Sequence, residues 1–113
     1  MKKIAKYLII EKLENNLYYL RMTPEMQDDI GIIGFLKFIN TDKTELKAKD
    51  EFAALEASKA ISTLKMPVDA KVVEWNKEAI ENPKLITSAD DSKNWIMKLS
   101  NIDEKVFAAL EDF

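Results

Sequence analysis

Few side chains in this 113-residue chain could do chemistry. There is no cysteine and no histidine. Thiolate nucleophiles, thiolate or imidazole metal sites, disulfides and histidine general bases are therefore excluded. A carboxylate dyad or a serine–lysine pair would remain, but no spacing argues for either, so no catalytic residue and no metal ligand is assigned. One amine draws notice. Lys59 sits in the stretch LEASKAISTLKMP (55–67), among the small residues Ala57, Ser58 and Ala60. A lysine amine is a flexible, acylatable handle that loses its charge on acylation, and small neighbours leave room for a modifying enzyme. Lys59 is also one of sixteen lysines, and an ordinary solvated lysine is the alternative.

The totals favour a carrier or binding protein over an enzyme. A composition of 47% apolar and 33% charged residues is that of a folded chain, and the length suits one domain, residues 1–113, with a modest core. The net charge of -3 gives no general pull toward nucleic acid or anionic lipid, and a single arginine, Arg21, cannot make a phosphate-gripping cluster. Asp28-Asp29 and Asp90-Asp91 lack the spacing of a calcium loop and read as solvated turn or helix-end residues. At the N-terminus, MKKIAKYLII has its apolar run broken by Lys6. What resumes is too short for a signal segment or a membrane span, so a mature, cytoplasmic N-terminus is expected.

Around Lys59 the chain predicts the following elements. Tyr7–Ile10 and Leu17–Leu20 are β-prone runs about the turn Glu14-Asn15-Asn16, a hairpin. Thr23-Pro24 is an N-cap followed by proline at the first helical position, and Gly31 can close that helix. Ile32–Ile39 reads as a buried strand and Asn40–Lys43 as a turn. Residues 44–65 are rich in the best helix formers, with Ala54, Ala57, Ile61 and Leu64 at helical spacing, so propensity predicts a helix bearing Lys59 on its solvated face. Lys71–Trp75 reads as a strand, Asn76 as the cap of a short helix over 77–81, and Trp95–Leu99 as a last strand. Trp75 and Trp95 read as core residues. A terminal helix follows, with Val106, Phe107, Leu110 and Phe113 on one face. There is no glycine-rich phosphate loop.

Glu56-Ala57-Ser58-Lys59-Ala60, then Pro67-Val68 and Val72-Val73-Glu74-Trp75-Asn76, resembles the lipoyl-bearing region of the glycine cleavage system H protein family. The family pattern there is Glu-Ser-Val-Lys-Ala, Pro-Val and Val-Val-Glu-Val-Asn. TPEMQDDIG (23–31), Glu81–Ile86 and Trp95–Leu99 are similar to further family segments, in the same order. The resemblance implies a mostly β fold with short helices. This is a barrel-like β-sandwich (a barrel-sandwich hybrid, lipoyl-domain-like) with a short C-terminal helix. It places Lys59 at a hairpin tip, against the helix prediction, carrying covalent lipoate, with Glu56 aiding recognition by a lipoate–protein ligase or lipoyl transferase. The implied protein is a non-catalytic carrier. Implied partners are glycine decarboxylase, aminomethyltransferase and dihydrolipoyl dehydrogenase.

This chain departs from the family at two acids. The family's first strand has His-Glu-Trp where this chain has Tyr7-Leu8-Ile9, and an aspartate four residues after the lipoyl lysine where this chain has Thr63. In the family both acids line the cleft that receives the loaded arm, where a carboxylate steadies the ammonium of an aminomethyl group. Leu8 and Thr63 are uncharged and should hold that amine less well. The pattern resembles a divergent H-like branch, which implies an oxidative-stress system with a sirtuin-type ADP-ribosyltransferase and a macrodomain hydrolase. No residue is assigned as an ADP-ribose acceptor. Biotinylation fits less well, since Ser58 and Ala60 replace the methionines that flank a biotinyl lysine. The alternatives are a true H protein and an unmodified interaction module of the same fold.

Overall fold

The apolar runs about Glu14-Asn15-Asn16 pair as the sequence predicts. In the computed structural model, which describes residues 1–113, β2 (Leu8–Lys12) and β3 (Tyr18–Met22) are antiparallel, with Ile10 opposite Leu20. At their turn Asn15 and Asn16 have φ of 59° and 57°, a left-handed conformation that asparagine tolerates. β1 (Lys2–Ala5), not anticipated, pairs with the other edge of β2. Thr23 caps α1 (Pro24–Ile30), its hydroxyl accepting from the Met26 N–H at 3.2 Å, and Gly31 closes the helix. β4 (Ile33–Phe38) is buried on one face only: Ile33, Leu36 and Phe38 are buried, but Phe35 is 48% exposed.

The helix that propensity predicts over 44–65 does not form. The segment makes β5 (Glu45–Leu46), β6 (Glu51–Ala57) and β7 (Ile61–Lys65), as the family resemblance implied. In this form β6 ladders to β4 on one side and β7 on the other, and Phe52, Leu55 and Leu64 enter the core. Helix propensities separate ordinary residues by at most about 0.7 kcal/mol each. Burying one such large side chain contributes about 1.5–3 kcal/mol, so tertiary burial wins. The helical spacing was therefore incidental: Leu64 is buried while Ile61 is 82% exposed. The turn before β6 is set by two carboxylates, Asp50 accepting from the Lys47 N–H at 2.9 Å and Asp69 from the Ala48 N–H at 2.7 Å.

β8 (Ala70–Trp75), α2 (Glu78–Glu81), β9 (Met97–Ser100), α3 (Glu104–Ala109) and β10 (Glu111–Asp112) complete the chain. The side chain of Asn76 does not cap α2. Its buried amide donates to the carbonyls of Lys93 and Trp95 at 3.0 and 2.7 Å, stitching the end of β8 to the loop before β9. α3 is capped by Asp103 but stops at Ala109, so the expected four-residue apolar face is not made. Phe107 packs on Tyr18 with ring centroids 5.3 Å apart, whereas Val106 and Phe113 are exposed. Leu110 turns extended so that β10 can pair with β1, where Lys3 donates to Asp112 at 2.6 Å.

The strands form two antiparallel sheets, ordered β10-β1-β2-β3-β9-β8-β5 and β4-β6-β7. Twenty-five buried residues fill the space between them. The result is the mostly β, barrel-like sandwich with short helices that was expected. Trp75 and Trp95 lie at its margin, not in its centre. Both are half-buried, Trp75 against Phe38 and Trp95 stacked on Tyr19.

Candidate functional site

Lys59 occupies the turn Ser58-Lys59-Ala60 between β6 and β7. The turn is closed by the Ala57 N–H donating to the Ala60 carbonyl at 2.8 Å. It is also tied to the junction of α1 and β4. The Ser58 N–H donates to the Ile32 carbonyl at 2.8 Å, the Lys59 N–H to the Ile30 carbonyl at 2.9 Å, and the Ile32 N–H to the Ser58 hydroxyl at 2.9 Å. The backbone at Lys59 is thus held while its side chain is exposed. Its amine donates to the Asp28 carbonyl at 3.2 Å and makes no ion pair.

Gly31 makes this close approach possible. Its φ of 79° with ψ of -147° falls in a region that only glycine occupies readily. A Cβ there would stand 2.2 Å from the Ser58 hydroxyl oxygen. The sequence showed Gly31 as a helix terminator. Its second role, as the seat of the Lys59 turn, depends on a contact 27 residues away that no local pattern encodes. Ser58 was read only as a small neighbour, and it proves to be a strut.

Glu56 is exposed and also free of ion pairs. It lies opposite Phe35 on one side and Ile61 on the other, and directly paired residues share a face of the sheet. The acid therefore sits in a row between two exposed apolar side chains, within three residues of Lys59.

Beside β7 runs a groove of about 510 Å3, walled by Tyr7, Leu8 and Met26 on one side and by residues 62–67 on the other. Leu8 and Thr63, the two positions where the resemblance implied acids, line this one groove. Thr63 is four residues past Lys59, at most roughly 13 Å even at the rise of a fully extended strand. Lys6 and Lys49, which sequence reasoning did not single out, line it as well.

The remaining candidates do not gather into a site. No group of three or more potential metal-ligating side chains comes together. Asp28 and Asp29 are exposed near the end of α1. Asp90 and Asp91 organise the loop before β9: the Ser92 hydroxyl holds the Asp90 carboxyl below its usual range, and the Asn94 amide does the same for Asp91. Arg21, buried beneath that loop, donates to Asn94, to Glu11 and to the Asp91 carbonyl. Its role is to hold the fold.

A family model, Glycine cleavage H-protein, matches residues 2–112. The chain is 40% identical over 112 residues to the "Glycine cleavage system H-like protein" of Staphylococcus aureus (strain Mu50), covering 99% of each. It is 32% identical over 93 residues to the "Glycine cleavage system H protein" of Staphylococcus epidermidis, covering 82% of this chain and 73% of that one. A crystal structure of a glycine cleavage system H protein from Mycobacterium marinum shares the fold, with a TM-score of 0.72 at 17% identity. That match covers 91% of this chain and 86% of the other.

Proposed function

The chain belongs to the glycine cleavage H-protein family, and we propose that it is a single-domain cytoplasmic lipoyl carrier with lipoate in amide linkage on Lys59. The observation that carries this is the presentation of Lys59 at a turn apex, with its backbone tied down and its amine exposed, free of ion pairs and held only by the Asp28 carbonyl. The surroundings fit the group: small side chains at 57, 58 and 60 leave the amine approachable, and Glu56 with Phe35 and Ile61 gives a ligase or lipoyl transferase a charged centre between apolar flanks. Bound lipoate would supply the sulfur chemistry that a chain without cysteine lacks. The protein's own part is to fix the anchor, leave the arm mobile, and offer it at high effective concentration to each docked enzyme.

Within that role, a divergent redox carrier is favoured over glycine cleavage. Leu8 and Thr63 leave the groove beside the arm without a carboxylate for an aminomethyl ammonium. The H-like relative also matches over a greater length and at higher identity than the H protein does. The partners would then include a sirtuin-type ADP-ribosyltransferase and a macrodomain hydrolase in an oxidative-stress response. A true H protein would instead serve glycine decarboxylase, aminomethyltransferase and dihydrolipoyl dehydrogenase.

Expression with lipoate and a lipoate–protein ligase, followed by intact mass, tests the carrier role. Wild type gains one lipoyl group and Lys59→Arg gains none. An unmodified wild type leaves only an interaction module, and equal gain by the variant overturns Lys59 as the attachment point. Reconstitution with glycine decarboxylase and aminomethyltransferase tests the branch. Turnover should be poor, and should rise when Leu8→Glu and Thr63→Asp are made together. Wild-type turnover equal to that of an H protein would reject the divergent role.

A further inference from the structure

The two ends of α1 treat charge differently. The N-terminal end is capped by Thr23 and carries an acid, Glu25, in its first turn, as the helix dipole favours. The last turn carries Asp28 and Asp29 and no basic residue, which the dipole disfavours. Both acids are exposed, and neither makes an ion pair.

A helix also leaves its last four carbonyls without partners of its own. In α1 these belong to Gln27, Asp28, Asp29 and Ile30. The Gly31 N–H serves Gln27 at 3.0 Å. The next N–H, at Ile32, is turned instead to the Ser58 hydroxyl. Lys59 takes its place at Asp28. The Lys59 amine donates to the Asp28 carbonyl at 3.2 Å, and the Lys59 backbone N–H to the Ile30 carbonyl at 2.9 Å. One residue, 31 positions from Asp28, thus serves two of the four carbonyls. It also brings a positive charge to a turn that has none of its own.

We propose that the Lys59 ammonium is the C-terminal counterion of α1, so that acylation at residue 59 loosens the junction of α1 with β4. The coupling to acylation rests on Lys59 being the attachment point. Acylation joins Nζ to the carbonyl carbon of an activated acyl group, whose leaving group departs. Of the three ammonium protons, two are released and one stays on a neutral amide. The Asp28 carbonyl then loses a charge-assisted donor, the stronger kind. The turn bearing Asp28 and Asp29 loses its cation. Loaded and unloaded carrier therefore differ in the backbone at the root of the arm, where a partner enzyme touching α1 can tell them apart.

Amide hydrogen exchange at Gly31 and Ile32, followed by NMR on the full chain, reads the looseness of this junction. Lys59→Gln removes the charge and Lys59→Arg keeps it. Exchange at both amides is expected to be about threefold faster in Lys59→Gln, and in lipoylated wild type, than in unmodified wild type, the size of one exposed charge at a helix end. Lys59→Arg should match wild type. The amide of Leu20, in the core, should not change in any form. With Asp28→Asn and Asp29→Asn in place, the effect of Lys59→Gln should fall by about half or more, since less negative charge then needs a partner. Four results overturn the counterion: no change in Lys59→Gln, equal acceleration in Lys59→Arg, acceleration that extends to Leu20, or an effect undiminished without the two acids. Lipoylated wild type that exchanges like the unmodified protein, while Lys59→Gln is fast, overturns the coupling to acylation. The two Lys59 variants need no ligase, so failure here is distinct from failure of Lys59 to accept lipoate in the mass experiment.

Discussion

Gly31→Ala is the sharpest perturbation of the way Lys59 is presented. The backbone at residue 31, at φ 79° and ψ -147°, would strain an alanine by about 2 kcal/mol, the middle of the range for such conformations. The new methyl would also meet the Ser58 oxygen at 2.2 Å. Ser58 must move, breaking its bond to the Ile32 N–H and costing about 1 kcal/mol more. Gly31→Ala should therefore lose about 3 kcal/mol, and Ser58→Ala about 1 kcal/mol. In the double variant the oxygen is absent and its bond can be lost only once. Its loss should stay near 3 kcal/mol instead of the additive total near 4, a coupling of about 1 kcal/mol. Urea unfolding with unchanged m-values measures all three losses. The initial rate of lipoylation should fall further for Gly31→Ala than for Ser58→Ala, because displacement of the turn also disturbs the Lys59 bond to Ile30. Losses that add to within about 0.3 kcal/mol would show that Gly31 and Ser58 do not share the clamp described here.

Three other outcomes are expected. Glu56→Gln should slow ligase-catalysed lipoylation while leaving the melting temperature unchanged, since the exposed carboxylate makes no ion pair. An unchanged rate removes Glu56 from ligase recognition. Arg21→Gln strips Glu11 and Asn94 of a buried charged partner and should cost about 3 kcal/mol in urea unfolding. The third outcome concerns pH. The folded-state pKa values of Asp90 and Asp91 are lowered by hydrogen bonds from Ser92 and Asn94 respectively. Their contribution to stability is therefore full above the ordinary carboxyl value of 3.8 and is lost as pH falls through the folded values. Asp91→Asn should flatten the loss of stability below about pH 4 relative to wild type, read as urea midpoints against pH.

Local chemistry in the sequence was legible where it acts over a few residues. Thr23-Pro24 and Gly31 bound α1, and Asn15-Asn16 turn the first hairpin, because caps and left-handed turns need particular residue types at particular positions. Propensity misled over 44–65, where helix-forming alanines and leucines are recruited into β6 and β7 by long-range burial. Only the in-register family motifs pointed to the hairpin there. β1 and β10 escaped notice because each is short and stable only against partners distant in sequence. Around Lys59, the small neighbours and the acid at 56 could be read directly. The groove lysines could not, since residues 6, 49 and 65 come together only after both sheets have packed.

The pairing of β10 with β1 brings Met1 and Phe113 to the same margin of the molecule, where the Phe113 N–H donates to the Lys2 carbonyl at 3.1 Å. A short linker could join the two ends into a closed ring. New termini could then be opened in the exposed stretch 41–44, which belongs neither to the Lys59 turn nor to its groove. Such a circular permutant would move any attached tag or fusion partner to a different side of the molecule while leaving the Lys59 turn untouched.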